Sequence, residues 1–323
     1  MDHHPYLSVV IPVYNEADVL PILFGRLFPA LDALGKSYEV IFTNDGSRDA
    51  SSQLLKAQYD KRPQQVRVIE FNRNYGQHMA IMAGFEHVRG EVIVTMDADL
   101  QNYPEDIHLL LEKVDAGHDV VGGYRVGRKD LPWRKFFSRL HNVMREKLTN
   151  IRMKDEGCML RAYKRNIVDH MVASQEMSTF IPALASCYAG NPTDVPVRHA
   201  GREAGVSKYN FYKLIRYNFD FFANFSRAPL EFFTISGFIV AALSMCLFIY
   251  LIVDRFIYGP DVQGVFTLFA IVFFLIGMLL MGLGIVGEYV GRIYEEVRQR
   301  PRFIIKDILE TKEPVGDSER QAS

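Results

Sequence analysis

Apolar runs of strand length alternate with segments of helical periodicity through the first half of the chain. The helical segments lie at 50–60 and 76–88. Because the apolar runs have no polar face, they favour a mostly parallel sheet covered by helices on both sides, an α/β fold. The runs that predict strands are 7–13, 38–44, 66–71 and 91–96.

Two longer apolar stretches follow in the second half, at 232–253 and 265–287, and neither contains a charged residue. With a helical rise of about 1.5 Å per residue, each spans roughly 33 Å, enough to cross the hydrocarbon core of a bilayer. Basic residues flank the pair and are nearly missing from the link between the stretches, where Arg255 stands alone. The sequence therefore predicts a transmembrane hairpin with both termini in the cytoplasm.

The segment just before the hairpin is amphipathic. Its polar residues recur at three- and four-residue steps among many aromatic residues, which indicates a helix at the membrane interface or, alternatively, one packed on the protein's own domain. These are Lys213, Arg216, Asp220, Asn224 and Arg227. The predicted organisation is a cytosolic domain at 1–208, the interfacial helix at 209–230, two transmembrane helices at 231–288 and a cytosolic C-terminal segment at 289–323.

Composition narrows the function classes only a little. A net charge of −1 over 323 residues gives no support for a nucleic-acid-binding surface. The three cysteines have neither metal-ligand spacing nor an even count, which favours a reducing cytosolic location for the soluble part.

Polar clusters follow each of the four predicted strands, at 14–16, 44–47, 72–77 and 97–102. Parallel strands bring such clusters to one edge of the sheet, where α/β proteins bind ligands. The alternation of an extended chain predicts that Asp97 and Asp99 point the same way. Since the chain lacks glycine-rich phosphate loops, we expect these two carboxylates to hold Mg²⁺ or Mn²⁺, which would bridge to a diphosphate.

The motifs SVVIPVYNE, NDGSRD, NRNYGQHMAIMAG, MDADLQNYPE and REAGVSKY resemble the family 2 glycosyltransferases with a GT-A fold. Within that family, NYGQHMAIMAGFEHV, DADLQN, GCMLRAY and STFIP are similar to the branch that acts on polyprenyl phosphates, and there to the transferases of 4-deoxy-4-formamido-L-arabinose. This resemblance implies inverting transfer from a UDP-sugar donor to undecaprenyl phosphate at the cytosolic face of a bacterial inner membrane. It further implies lipid A modification, polymyxin resistance and a homo-oligomer, a tetramer in this family.

The resemblance also implies roles for individual residues. Asp97, Asp99 and Gln101 are the expected catalytic residues, Asp97 and Asp99 being the metal ligands. The expected donor-binding residues are Pro12, Tyr14, Glu16, Asn44, Asp45, Asp97, Arg202 and Lys208. The expected acceptor-phosphate residues are Arg125, Arg128, Arg134, Ser138 and Ser207. The loop that contains Arg202, Ser207 and Lys208 would close over either the donor diphosphate or the acceptor.

One position departs from the family pattern. The second loop usually begins with Asp-Asp-Gly-Ser, and its first Asp commonly accepts the imide N–H of uracil. Here that position is Asn44, whose carbonyl can accept the same bond without charge assistance.

Other functions remain as alternatives. The same reaction with glucose or mannose is the nearest, followed by a sugar-nucleotide sensor without catalysis. A processive polysaccharide synthase usually has a Gln-x-x-Arg-Trp signature, whereas the only tryptophan here is Trp133, outside such a context. A lipid flippase is disfavoured because the two predicted spans contain no charge.

Overall fold

A computed structural model of the chain describes residues 4–125, 153–155, 157–174, 176, 180–199, 228–258, 265–298 and 300–311. The strands are β1 (Leu7–Val13), β2 (Tyr38–Asn44), β3 (Val66–Phe71), β4 (Val92–Thr95), β5 (Val120–Arg125), β6 (Arg161–Lys164), β7 (Pro192–Val197) and β8 (Ile305–Leu309). The helices are α1 (Leu20–Asp32), α2 (Ser51–Lys61), α3 (Gln77–His87), α4 (Ile107–Asp115), α5 (Arg165–Ala173), α6 (Ile181–Tyr188), α7 (Ala228–Tyr258) and α8 (Val265–Val297).

The strands of the described residues form one sheet in the order β7-β5-β6-β4-β1-β2-β3-β8. Its centre, β4-β1-β2-β3, is parallel throughout, while β6 and β8 run antiparallel to their neighbours in the centre. The predicted mostly parallel sheet is thus confirmed, and β1 to β3 have the predicted bounds. The fourth strand, Val92–Thr95, begins one residue later and ends one residue earlier than predicted.

Both faces of the sheet are covered, which explains the absence of a polar face in its strands. Along β1, Val9 and Ile11 pack into one hydrophobic cluster with Leu23 of α1. The intervening Val10 packs into a second cluster on the other face, with Ile81 of α3. The strand pleat therefore sends successive apolar side chains into two separate cores.

The edge strand β8 was not predicted. It pairs antiparallel with β3, so residues Ile305–Leu309 of the predicted C-terminal segment belong to the sheet. Immediately after it, Glu310 accepts hydrogen bonds from Arg67 at 2.8 Å and Arg89 at 3.2 Å. Arg67 also pairs with the buried Glu39 at 3.2 Å. This ion-pair network links Glu310, the residue that follows β8, to the N-terminal parts of β2 and β3.

Replacing Glu310 by alanine is expected to lower the free energy of unfolding of the sheet unit by about 1–3 kcal/mol, because the largely buried Arg67 loses a charged partner. Chemical denaturation measures this. Asp60→Ala is the matched control, since its ion pair with Lys56 is exposed on both sides and is worth about 0–0.5 kcal/mol. Equal losses in the two variants would contradict the assignment of a stabilising network.

The long helices α7 and α8 form most of a second compact unit, separate from the sheet unit. Among the described residues, one stretch is long and apolar enough to cross a membrane, Ile271–Tyr294, with a mean hydropathy of 2.3. A second apolar stretch, Phe233–Leu247, is shorter. Large apolar side chains such as Phe273 and Leu279 are exposed on α8, as a lipid-facing helix requires. The two-span hairpin stays a prediction, and residues 209–227 of the predicted interfacial helix lie outside the described residues.

Candidate active site

The loops that follow β1 to β4 meet at one edge of the sheet, as expected for parallel strands. They surround a cleft of about 310 Å³. Side chains from all four loops line it: Pro12, Tyr14, Glu16, Asp45, Asn74, Gln77, Asp97 and Asp99. We call this the donor cleft. The lining also includes Val13, Gly76 and Ala98, and seven of its eleven residues carry polar side chains, so the cleft suits a polar, charged ligand.

The loop after β4 is a tight turn and not an extension of the strand. Leu100 has a left-handed backbone conformation with φ of 58°, and Asp99 Oδ1 accepts the backbone N–H of Gln101 at 3.1 Å. The chain is therefore not extended between Asp97 and Asp99, as the alternation argument assumed. Both carboxylates nevertheless line the donor cleft, and Asp99 is held by a hydrogen bond within its own loop.

Asp97 is held from the opposite side of the cleft. Gln77, the first residue of α3, donates its side-chain N–H to Asp97 Oδ1 at 2.5 Å. Burial, followed by the neighbouring charge of Asp99, raises the pKa of Asp97 to about 7, although Gln77 and Arg125 act in the opposite direction. A cation bound between the two carboxylates would offset both the burial of the Asp97 charge and the repulsion from Asp99.

The residues present fit a divalent metal. Asp97 and Asp99 supply hard oxygen ligands, and in the described part of the chain no group of three or more His, Cys, Asp or Glu side chains is placed so that it could hold a metal ion by itself. Mg²⁺ is commonly bound by one or two carboxylates, with phosphate oxygens and water in the remaining positions. The donor set therefore suits a cation that shares its coordination with a bound diphosphate.

Asp45 organises the third loop as well as lining the donor cleft. It is almost fully buried and accepts hydrogen bonds from the side chain of Asn74 at 2.9 Å and from the backbone of Tyr75 at 2.6 Å and Gly76 at 2.9 Å. Burial raises its pKa against the effect of these bonds. Through Gly76, which adjoins Gln77, Asp45 positions the residue that holds Asp97.

Gly46 allows the second and third loops to approach this closely. Its φ is 67°, and a Cβ atom at this position would lie 2.5 Å from the carbonyl carbon of Arg73. Any other residue would strain the backbone and push the two loops apart.

The sequence relationships of the chain agree with this geometry. The sequence model of glycosyl transferase family 2 matches residues 8–172, which include all four loops of the donor cleft. The chain belongs to glycosyltransferase family 2. The sheet has the GT-A fold of this family, and two aspartates that could bind a metal follow its fourth strand.

Individual relatives cover almost the entire glycosyltransferase. A protein of Edwardsiella ictaluri is 44% identical over 317 residues, 98% of this chain and 98% of that protein. One of Shewanella sediminis is 47% identical over 306 residues, 94% of this chain and 92% of that protein. A Klebsiella pneumoniae protein is 45% identical over 97% of this chain and 96% of its own length. All three are named undecaprenyl-phosphate 4-deoxy-4-formamido-L-arabinose transferase.

The structure places Asn44, an expected donor-binding residue of this glycosyltransferase, outside the lining of the donor cleft. Asn44 is 1% exposed and does not line the donor cleft. Its side-chain oxygen already accepts the backbone N–H of Ser47 at 3.1 Å, and its side-chain N–H donates to Glu70 at 2.7 Å. Protein groups thus engage both the oxygen and the nitrogen of the amide, and its binding of a base stays a prediction.

The pairing explains why an amide stands where the family usually has an acid. Asn44 and Glu70 are register partners on β2 and β3, so an aspartate at 44 would place two carboxylates in contact. We expect Asn44→Asp to lower the free energy of unfolding by about 1–3 kcal/mol, and Asn44→Asp with Glu70→Gln to recover most of it. Thermal and chemical denaturation of the single and double variants measure the coupling. Additive losses would contradict it.

Arg125, an expected acceptor residue, lies at the end of β5 in a two-point contact with Asp155, with N–O distances of 2.6 and 2.7 Å. Burial acts to raise the pKa of Asp155, but the hydrogen bonds from Arg125 hold it below its usual range. The contact fixes the direction of the guanidinium close to the cleft, where its charge acts on Asp97. Its binding of a phosphate stays a prediction.

Other expected site residues lie outside the described residues: Arg128, Arg134, Ser138, Arg202, Ser207 and Lys208. Gln101 lies in the turn beside Asp99, and its side chain is not part of the donor-cleft lining.

The sequence did not indicate several residues that shape the donor cleft or lie beside it. Gln77 and Asn74 lie in a polar cluster that marked the third loop, but nothing in the spacing showed that they contact Asp97 and Asp45. His199 forms an isolated antiparallel β-bridge with Asn102, close to the turn after β4. Burial, followed by the charge of Arg125, lowers the pKa of His199.

Proposed function

We propose that this glycosyltransferase transfers 4-deoxy-4-formamido-L-arabinose from its UDP-sugar to undecaprenyl phosphate, with inversion at the anomeric carbon. One observation carries the proposal: the paired Asp97 and Asp99 line a polar cleft in a chain that matches transferases of this name over nearly their full length. The product would serve lipid A modification and polymyxin resistance.

The reaction requires negative charge to be stabilised on a departing nucleoside diphosphate. Asp97 and Asp99 would hold Mg²⁺ or Mn²⁺, which supplies Lewis-acid stabilisation of that charge when bound. Gln77 keeps Asp97 in place through its hydrogen bond. The Gln101 N–H does the same for Asp99, so both carboxylates are oriented before substrate arrives. Pro12, Tyr14 and Glu16 would contact the nucleoside part of the donor.

The acceptor removes the need for a general base. A phosphate monoester has its second pKa near 6, so at neutral pH it is mostly a dianion and already nucleophilic. The site must instead bind and aim it, which is the role proposed for Arg125, Arg128, Arg134 and Ser138. Arg202, Ser207 and Lys208 would close over the bound substrates.

A membrane location fits the acceptor. The apolar stretch Ile271–Tyr294 supports membrane association. The chain returns to the sheet after its long helices, since β8 pairs with β3. Two parts of one sheet lie on the same side of a membrane, so the intervening segment must cross an even number of times. This supports a hairpin with both termini in the cytoplasm of a bacterial inner membrane. Assembly into a tetramer is part of the proposal.

The test is transfer by the purified full-length protein, in detergent with Mn²⁺ or Mg²⁺, from three labelled donors to undecaprenyl phosphate. We expect lipid-linked product from UDP-4-deoxy-4-formamido-L-arabinose and little from UDP-glucose or GDP-mannose. Product mainly from UDP-glucose or GDP-mannose would support glycosyl transfer to undecaprenyl phosphate but contradict the proposed identity of the sugar. Nucleotide binding without any lipid product would overturn transfer itself.

The raised pKa of Asp97 predicts pH-dependent metal binding. A protonated carboxyl group is a poor ligand, so Mn²⁺ affinity should fall about tenfold per pH unit below about 7 and level off above 8. Binding near pH 7 should also release a proton. Calorimetric titration of Mn²⁺ between pH 5.5 and 8.5, in buffers of different ionisation enthalpy, measures both effects. An affinity that is flat across this range would contradict the assignment of Asp97 as a ligand.

A further inference from the structure

A second pocket of about 410 Å³ adjoins the donor cleft at the end of β3. We call it the β3 pocket. It shares Tyr14 and Asn74 with the donor cleft, so a ligand in one extends naturally towards the other. Glu70 and the cationic side chains Arg48, Arg73 and Lys306 also line the β3 pocket.

Glu70 offers a charged hydrogen-bond acceptor at a pocket wall, whereas Asn44 is neutral and 1% exposed. It is half-buried, and its carboxylate accepts one bond from Asn44 at 2.7 Å and one from Ser52 at 2.8 Å. A carboxylate has about four lone-pair positions, so acceptor capacity remains. Of the described residues lining the β3 pocket, Glu70 alone has a carboxylate. The acidic group that the family usually carries at position 44 is thus found on the neighbouring strand, at the pocket wall.

We propose that Glu70 selects the base of the donor nucleotide by accepting its ring N–H in the β3 pocket. The proposal rests on the proposed function, which requires a UDP-sugar donor. With the diphosphate at Asp97 and Asp99, the nucleoside extends past Tyr14, which is 44% exposed and offers an aromatic face for stacking. Uracil, and also guanine, present a ring N–H to an acceptor. Cytosine presents a ring nitrogen lone pair instead, which a carboxylate repels.

The test is calorimetric binding of UDP, GDP and CDP to the full-length protein in detergent with Mn²⁺. The wild type should prefer UDP to CDP by about a hundredfold, since the wrong base leaves polar groups unpaired. Glu70→Gln should narrow the UDP-to-CDP ratio by about tenfold, because a rotated amide can donate to the cytosine nitrogen. Glu112→Gln, an exposed carboxylate-to-amide change on α4, should leave the ratio unchanged.

Melting temperature and Mn²⁺ affinity establish that Glu70→Gln is folded with its metal site intact. If it does not fold, Glu70→Met fills the space without an acceptor and should narrow the ratio in the same way. An unchanged ratio in the folded variant overturns the role of Glu70 and leaves the proposed function standing. Wild-type protein that binds none of the three diphosphates overturns the proposed function and this inference together. If the wild type prefers GDP, and Glu70→Gln reduces the ratio of GDP affinity to CDP affinity, the role of Glu70 is supported. The uridine nucleotide of the donor is then overturned.

Discussion

Replacing Asp99 by asparagine is expected to reduce glycosyl transfer by at least about a thousandfold while the sheet unit stays folded. The variant removes one of the two carboxylates that would bind the cation, and groups that stabilise developing charge are worth about a hundred- to a thousandfold each even when they are neutral. The asparagine oxygen can still accept the Gln101 N–H, so the turn is retained. Initial rates and melting temperature measure the two expectations.

Asp60→Asn is the matched control, because it makes the same chemical change at an exposed position of α2. It should leave both rate and melting temperature near wild type. Activity of Asp99→Asn within tenfold of wild type, with the same dependence on Mn²⁺, would contradict the metal role of Asp99.

Replacing Asp45 by asparagine is expected to raise the KM for the donor and to lower kcat/KM by about a hundredfold. In the wild type, the backbone N–H groups of Tyr75 and Gly76 each donate to an oxygen of the Asp45 carboxylate. In the variant, one of these two oxygens is replaced by an NH2 group, which cannot accept a hydrogen bond. The third loop would shift, and Gln77 with it, and misplacement of about 1 Å near the reaction centre can cost a hundredfold in rate. The free energy of unfolding should fall by about 1–3 kcal/mol.

Asp119→Asn separates the two effects. Asp119 also anchors a loop by accepting two backbone N–H groups, from Gly190 at 2.6 Å and Asn191 at 2.9 Å. It does not line the donor cleft. A similar loss of stability is expected without a change in the donor KM. If the two variants had the same donor KM, Asp45 would be a stabilising residue only.

The central sheet was predictable because its strands are buried on both faces, which leaves continuous apolar runs in the sequence. The bounds of β1, β2 and β3 follow from those runs directly. The location of the cleft was predictable for the same reason, since parallel strands bring the residues after them to one edge.

Contacts that depend on strand register or on distant segments could not be predicted in this way. The Asn44–Glu70 pair exists because β2 and β3 align these residues, and either residue alone looks like an ordinary loop or strand residue. The edge strand β8 is half exposed and joins β3 from the far end of the chain, so no local pattern indicates its partner. The turn after Asp97 depends on the left-handed conformation of Leu100, a residue type that seldom adopts it.

The most direct test of the central claim, that the acceptor phosphate attacks the donor in one step at the Asp97–Asp99 cleft, is the anomeric configuration of the lipid-linked product. Wild-type protein, donor, undecaprenyl phosphate and Mn²⁺ would be incubated, and the sugar phosphate released from the lipid would be analysed by NMR spectroscopy. A single displacement predicts inverted configuration throughout. Retained configuration would contradict it, since retention requires either a covalent intermediate on the enzyme or a front-face reaction.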